Sequence, residues 1–134
     1  MLRDRLDAGT IYFYHAGLTK EERKTIEKWF FESDDGILSA TNAYGMGIDK
    51  SNIRTIVHYD VPLSAEAYLQ ESGRAGRDGG TAHTVLLHGI DDAQYPDKIK
   101  DNINTQRYLQ FYKRIINHRL CRRVCFAELM NTEV

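Results

Sequence analysis

Two arginines, Arg74 and Arg77, stand three residues apart in the stretch QESGRAGRDG, which runs from Gln70 to Gly79. Each guanidinium carries a permanent charge and a planar fork of donors that fits phosphate oxygens. Gly73, Gly76 and Gly79 frame the pair and allow tight turns with close backbone approach. Gln70 and Glu71 enter the stretch from a predicted helix. Two readings fit these residues: a phosphate-directed arginine site, and a surface turn in which both arginines are solvated.

A second stretch with chemical potential is ATNAYGMGIDK, Ala40 to Lys50. It sets small residues and two glycines directly after a predicted strand, at the carboxyl edge where open α/β sheets bind ligands. Gly45, Gly47, Lys50 and Ser51 do not have the G-x-x-x-x-G-K-[ST] spacing of a P-loop, and no other stretch supplies it. A phosphate or sugar could approach this backbone, but the chain has no recognisable cradle for a triphosphate and offers only part of a site. A third constellation is His118, Cys121 and Cys125, at i, i+3 and i+7, expected on one helical face. Three ligands from one straight helix close a tetrahedral zinc site poorly, and no later Cys-x-x-Cys completes it.

The elements that must position these residues alternate. Leu2 and Leu6 end a predicted helix at Gly9, and Ile11 to Tyr14 is a β-prone run followed by the loop His15 to Leu18. Thr19 and Glu22 make a capping box for a helix with Ile26, Trp29 and Phe30 on its core face. That helix stops at Ser33-Asp34-Asp35-Gly36, and Ile37 to Ala40 is expected as a short buried strand. Thr55 to Tyr59 is a further strand. Ser64 caps a helix over Ala65 to Ser72 that delivers the arginine loop, and Thr81 to His88 is one more β-prone run. Such alternation predicts a parallel sheet covered by helices. Gly89 to Pro96 reads as the boundary to a helical tail, in which Ile99, Ile103, Leu109, Tyr112, Ile115 and Ile116, then Val124, Phe126, Leu129 and Met130, predict two helices. His58 and His83 read as packed or hydrogen-bonded strand residues and receive no role.

With 134 residues, 42% of them hydrophobic, the chain is long enough for one cored domain and too short for two full ones. No apolar run approaches a membrane span or a signal peptide. Two cysteines cannot make a disulfide framework, so a reducing compartment, cytosol or nucleus, is expected. The net charge of −1 argues against a uniformly basic nucleic-acid binder, but the tail carries Arg107, Lys113, Arg114, Arg119, Arg122 and Arg123 with no acid between Asn102 and Ala127. That run fits either a phosphate-binding patch or a solvated helix face.

Taken together, YHAGL (Tyr14 to Leu18), ATNAYGMGIDK, IVHYDVP (Ile56 to Pro62) and QESGRAGRDG, in this order and spacing, resemble the second RecA-like domain of RecQ-family DNA helicases. The likeness runs from Tyr14 to about His88. GMGIDK combined with GRAGRDG is similar to RecQ in particular. Tyr44 stands where the family more often has Phe, and Ser51-Asn52 where it often has Pro-Asp.

The resemblance implies a RecA-like α/β fold of the P-loop NTPase type, with residues 1–90 as the helicase C-terminal domain and 91–134 as the start of the RecQ zinc-binding subdomain. It implies that Arg77 is an arginine finger reaching ATP and Mg²⁺ held on a first RecA-like domain, with Arg74 beside it and Gln70 positioning the loop. Asp49 and Gly47 would lie by the nucleotide. Thr41, His15 and Gly17 would face DNA, and Cys121 would be the first zinc ligand. The activity implied is ATP-driven 3′-to-5′ DNA unwinding, in the setting of DNA repair and recombination. Lacking the Walker A and DExH motifs, and expected to begin after the first strand of its domain, the chain alone is expected to be inactive. The alternative is a non-catalytic module that binds nucleic acid or docks onto a partner through its basic tail.

Overall fold

The computed structural model describes residues 11–41, 50–93, 102–116 and 119–130. The expected helix around Leu2 and Leu6, most of ATNAYGMGIDK including Gly47 and Asp49, Pro96, Ile99 and His118 lie outside the described residues. Contacts divide the chain into two units, one ending at Asn52 and the other beginning at Ile53.

In the first unit, β1 (Ile11–Tyr14) is followed by α1 (Lys20–Glu32) and β2 (Ile37–Ala40). β1 and β2 pair in parallel, with Ile11 opposite Ile37 and Tyr14 opposite Ala40. The capping box forms as the sequence predicts: the Glu22 amide donates to Thr19 Oγ1 (3.2 Å) and the Thr19 amide to Glu22 Oε2 (2.8 Å). These bonds satisfy donors that a helix start leaves unpaired, and they hold the Glu22 carboxyl below its ordinary range. Ile26 and Phe30 are buried, and Trp29 tilts against Tyr12 with ring centroids 4.4 Å apart. The Tyr14 hydroxyl donates to Glu27 Oε1 (2.6 Å), tying α1 to β1; this contact with a carboxylate pushes the Tyr14 phenol up.

β2 is not the buried strand its apolar residues suggest: Ile37 is 43% exposed and Leu38 half-buried. Among the described residues the strand ladder of β2 is with β1 alone.

In the second unit, β3 (Thr55–His58) leads to α2 (Ala65–Ser72) and β4 (His83–Leu86). β3 and β4 are parallel, with Thr55 opposite His83 and His58 opposite Leu86. Ser64 caps α2 by accepting from the Ala67 amide (3.2 Å). The expected parallel pairing is thus present in both units, as a two-stranded sheet in each. His83 is exposed rather than packed.

The segment after Gly89, expected as the boundary to the helical tail, contains a helical turn, α3 (Ile90–Ala93). The Asp92 carboxylate accepts from the Gly89 amide (2.6 Å), which closes the turn. α4 (Asn102–Phe111) continues into a π-helical turn, Tyr112–Ile116, and α5 (Arg122–Leu129) follows. Their apolar faces meet α2: Val61, Ala65, Tyr108, Phe111, Ile115 and Cys125 form one buried cluster, with Tyr68, Leu86 and Phe126 packed on it. Tyr68 stacks on Phe126 with centroids 4.9 Å apart and tilts against Phe111 at 5.8 Å. The helical tail therefore shares its core with the helix that carries the arginine loop.

Candidate functional site

The arginine loop begins where α2 ends. Gly73 donates its amide to the Leu69 carbonyl (2.8 Å), Arg74 to Glu71 (3.2 Å) and Ala75 to Ser72 (3.1 Å), so the chain leaves the helix in successive tight turns. Gly76 has φ 65° and Gly79 φ 79°, backbone states that favour glycine. A Cβ on Gly76 would sit 2.8 Å from the Gly80 carbonyl oxygen, so this position excludes a side chain on two grounds.

β3 and the residues just before it act as a template for this loop. The Gly76 amide donates to the Ile53 carbonyl (3.0 Å). Arg54 grips Asp78 with both arms of its fork, Nη1 to Oδ1 at 2.8 Å and Nη2 to Oδ2 at 2.5 Å. The Gly80 amide adds a third bond to Asp78 Oδ1 (2.9 Å). The Arg54 guanidinium, followed by that amide, holds the Asp78 carboxyl far below the usual carboxylate range, and Asp78 in turn raises Arg54. At the far end of β3, His58 contacts the last turn of α2 through both ring nitrogens: Nδ1 lies 2.8 Å from Glu71 Oε2 and Nε2 3.2 Å from Ser72 Oγ.

On this frame Arg77 is exposed and Arg74 half-buried. Arg77 Nε donates to the Gly73 carbonyl (3.3 Å), a bond that folds the side chain back along the loop. Gln70 is exposed on the last turn of α2. The structure therefore brings Gln70, Arg74 and Arg77 onto one short segment with two positive-φ glycines. A guanidinium held this way on an exposed loop can take an anionic oxygen with little ordering cost.

The residues expected to face DNA lie in the first unit. His15 follows the last residue of β1, and Thr41 the last residue of β2; the Thr41 amide donates to the Tyr14 carbonyl (3.0 Å). Because the strands are parallel, His15, Gly17 and Thr41 gather at one carboxyl edge, and all three are exposed. His15 Nδ1 accepts from the Gly17 amide (3.2 Å), so two of the three candidates form one turn.

Lys50, the last residue of GMGIDK, is only 7% exposed. Its Nζ donates to the Phe31 carbonyl (3.1 Å) and the Ser33 carbonyl (2.6 Å), and lies 5.5 Å from the Phe30 ring centroid. It closes the C-terminus of α1, where the helix dipole favours a cation. Its lack of P-loop spacing is matched by this separate job.

The two described thiols do not share a helical face as expected. The backbone is not helical from Arg119 to Cys121, so α5 starts at Arg122 with Cys121 exposed at its N-cap, whereas Cys125 is buried in the core cluster. No group of three or more metal-binding side chains occurs among the described residues. One exposed thiol does not fit a zinc site, which needs four ligands.

Sequence reasoning missed Arg54, Asp78 and Glu71 as groups that hold the loop; His58, expected as a packed or hydrogen-bonded residue, is both, and only its link to the loop was missed. Arg54 and Asp78 are 24 residues apart and carry no motif spacing. The histidine's place in a β-prone run was the one available signal for His58.

The profile of the family described as "Helicase conserved C-terminal domain" matches residues 1–79. The RecQ-like DNA helicase BLM of Xenopus laevis is 48% identical over 80 residues, covering 59% of this chain and 6% of that protein. The ATP-dependent DNA helicase RecQ of Bacillus subtilis is 37% identical over 120 residues, covering 82% of this chain and 20% of that protein. The chain thus spans between 6% and 20% of the length of these two relatives. Among solved structures it is similar to the DUF1998 helicase MrfA bound to DNA and AMPPNP, with a TM-score of 0.60 at 26% identity over 72% of this chain and 14% of that one. Domain 2 of the DEAD-box helicase Mss116p, bound to an RNA duplex, gives a TM-score of 0.57 at 19% identity over 91% of this chain and 64% of that one. This last likeness is one of fold: the α/β architecture is that of RecA-like helicase C-terminal domains.

Proposed function

The chain belongs to the helicase conserved C-terminal domain family, in its RecQ branch, and from that premise we propose that it supplies the arginine-finger half of an ATP-driven motor that unwinds DNA with 3′-to-5′ polarity. ATP and Mg²⁺ would be bound mainly by a first RecA-like domain. Arg77 would reach the γ-phosphate from across the cleft, Arg74 would stand beside it, and Gln70 would steady the loop. Asp49 and Gly47 would lie along the nucleotide, while Thr41, His15 and Gly17 would take a DNA phosphate at their strand-end edge. The chemistry is electrostatic: hydrolysis concentrates charge on the γ-phosphate oxygens, and a cation delivered by domain closure stabilises it only when the domains meet. By itself the chain would be catalytically silent. The helical tail from residue 91 would begin the zinc-binding subdomain, with Cys121 as a ligand only if further ligands come from outside the described residues. The compartment would be nuclear or cytoplasmic.

The observation that carries this reading is the arginine loop itself, bonded to the Ile53 carbonyl, Arg54 and His58 so that its backbone is set before any phosphate arrives. The test joins the chain to the first RecA-like domain of a RecQ-type helicase and measures DNA-stimulated ATP hydrolysis. Arg77→Ala is expected to lower the rate by about 10³-fold or more, the usual worth of an arginine finger. An unchanged rate sinks the proposal.

A second reading, a non-catalytic nucleic-acid module, draws on the tail. Arg107, Lys113, Arg114, Arg119, Arg122 and Arg123 are all exposed, and Glu128, paired with Arg114 at 3.2 Å, is the one acid among the described residues beyond Asn102. That module would bind DNA with an affinity that falls steeply as salt rises. A flat salt response would remove the tail from DNA binding.

A further inference from the structure

His58 is 5% exposed, has both ring nitrogens in hydrogen-bond contact, and lies face to face with Tyr68 at a centroid distance of 4.8 Å. A buried imidazole with two polar partners is fixed in orientation and rotamer, because leaving either nitrogen unpaired would cost the full desolvation of that group. Its partners, Glu71 and Ser72, are the last two residues of α2, immediately before Gly73 and the arginines. The Gly73 carbonyl accepts from Arg77 Nε, so the position of this helix end sets where Arg77 starts.

Ser72, His58 and Glu71 also form the donor–acceptor series of a serine–histidine–carboxylate hydrolase. The backbone that follows Ser72 does not supply the oxyanion site such chemistry needs. Ser72 closes a helix, and the amides that follow it, on Gly73, Arg74 and Ala75, all donate to helix carbonyls, so none is left to receive an oxyanion. The bonds instead join a strand to a helix end.

We propose that His58 is a positioning residue for the arginine finger. It latches the end of α2 to β3, so that Arg74 and Arg77 meet the transferring phosphoryl group in register when the domains close. This rests on the arginine-finger reading of Arg77. The latch works from one side of the loop while Arg54 and Asp78 hold the other, and a loop held at both ends delivers a guanidinium within the narrow tolerance that catalysis demands.

The test uses the chain joined to the first RecA-like domain of a RecQ-type helicase, with kcat and KM for ATP measured at saturating DNA. Glu71→Ala, at a partly exposed position and with folding checked by its urea midpoint, is expected to lower kcat 5- to 50-fold with the ATP KM changed less than twofold. His58→Leu is expected to lower kcat at least as far. His58→Asn, which keeps a donor at the place of Nδ1 for Glu71, is expected to recover most of the loss. A rate within twofold of the unsubstituted protein for Glu71→Ala overturns the latch, as does a rise in KM without loss of kcat. If Arg77→Ala is itself silent, the arginine-finger reading fails first; if Arg77→Ala abolishes hydrolysis while Glu71→Ala does not, the latch alone fails.

Discussion

Asp78 follows Arg77 directly, and its carboxylate takes both arms of Arg54 and the Gly80 amide. Its folded-state pKa is depressed, so the stability it contributes is complete above the ordinary aspartate range near about pH 4 and is lost as pH falls through the lower folded value. Carbon-detected NMR titration of the side-chain carboxyls should find Asp78 still ionised where other aspartates have protonated. In Arg54→Ala, Asp78 should return to the ordinary range; no movement would mean that the ion pair does not hold the loop in solution. Lys50 makes a different prediction. Replacing it with Met keeps the apolar stem but leaves the Phe31 and Ser33 carbonyls without their ammonium. Lys50→Met should cost about 1–3 kcal/mol in urea unfolding, the usual price of stranding buried polar groups. At this scale the sequence singled out Arg74 and Arg77 as candidates but not the residues bonded to their loop. Arg54, His58 and Lys50 look like ordinary strand-flanking residues until the chain folds, since each acts on a partner 13 to 24 residues away.

Elements were more legible than contacts, because local rules govern their ends. The Thr19–Glu22 capping box and the Ser64 cap each appear where side-chain chemistry places them. β1 and β2 occupy the four-residue runs that β-prone composition marks. What periodicity could not give is the π-helical turn at Tyr112–Ile116: Tyr108, Phe111 and Ile115 remain buried through it, so the apolar pattern looks helical while the backbone widens. The break before α5 was hidden for a similar reason, and it separates two thiols that a continuous helix would have placed together. Cys121 at the N-cap is exposed and Cys125 has no exposed surface. In the native chain a maleimide should label Cys121 rapidly and Cys125 only after denaturant is added. Equal labelling of both would contradict the packing of α5 against α4 and α2.

At the scale of the molecule, alternating strands and helices foretold parallel pairing, and both described pairs are parallel. Strand burial was not foretold. Ile37 to Ala40 read as a buried strand, yet Ile37 is exposed, as are Val57 on β3 and Val85 on β4, because burial depends on neighbours that no single strand encodes. The function shows the same division. The order of motifs led to the helicase family, whereas the poise of the arginine loop follows from bonds between β3, α2 and the loop that no motif spells out. The role proposed for the loop requires a phosphoryl group held by another domain. The most direct measurement is therefore the single-turnover rate of ATP hydrolysis in the chain joined to a RecQ-type first domain, at saturating DNA, with Arg77→Lys compared with the unsubstituted protein. Lysine keeps the charge but loses the planar fork, so an arginine finger predicts a fall of about 10²-fold or more with ATP affinity unchanged. A rate within twofold of the original would show that Arg77 does not touch the transition state.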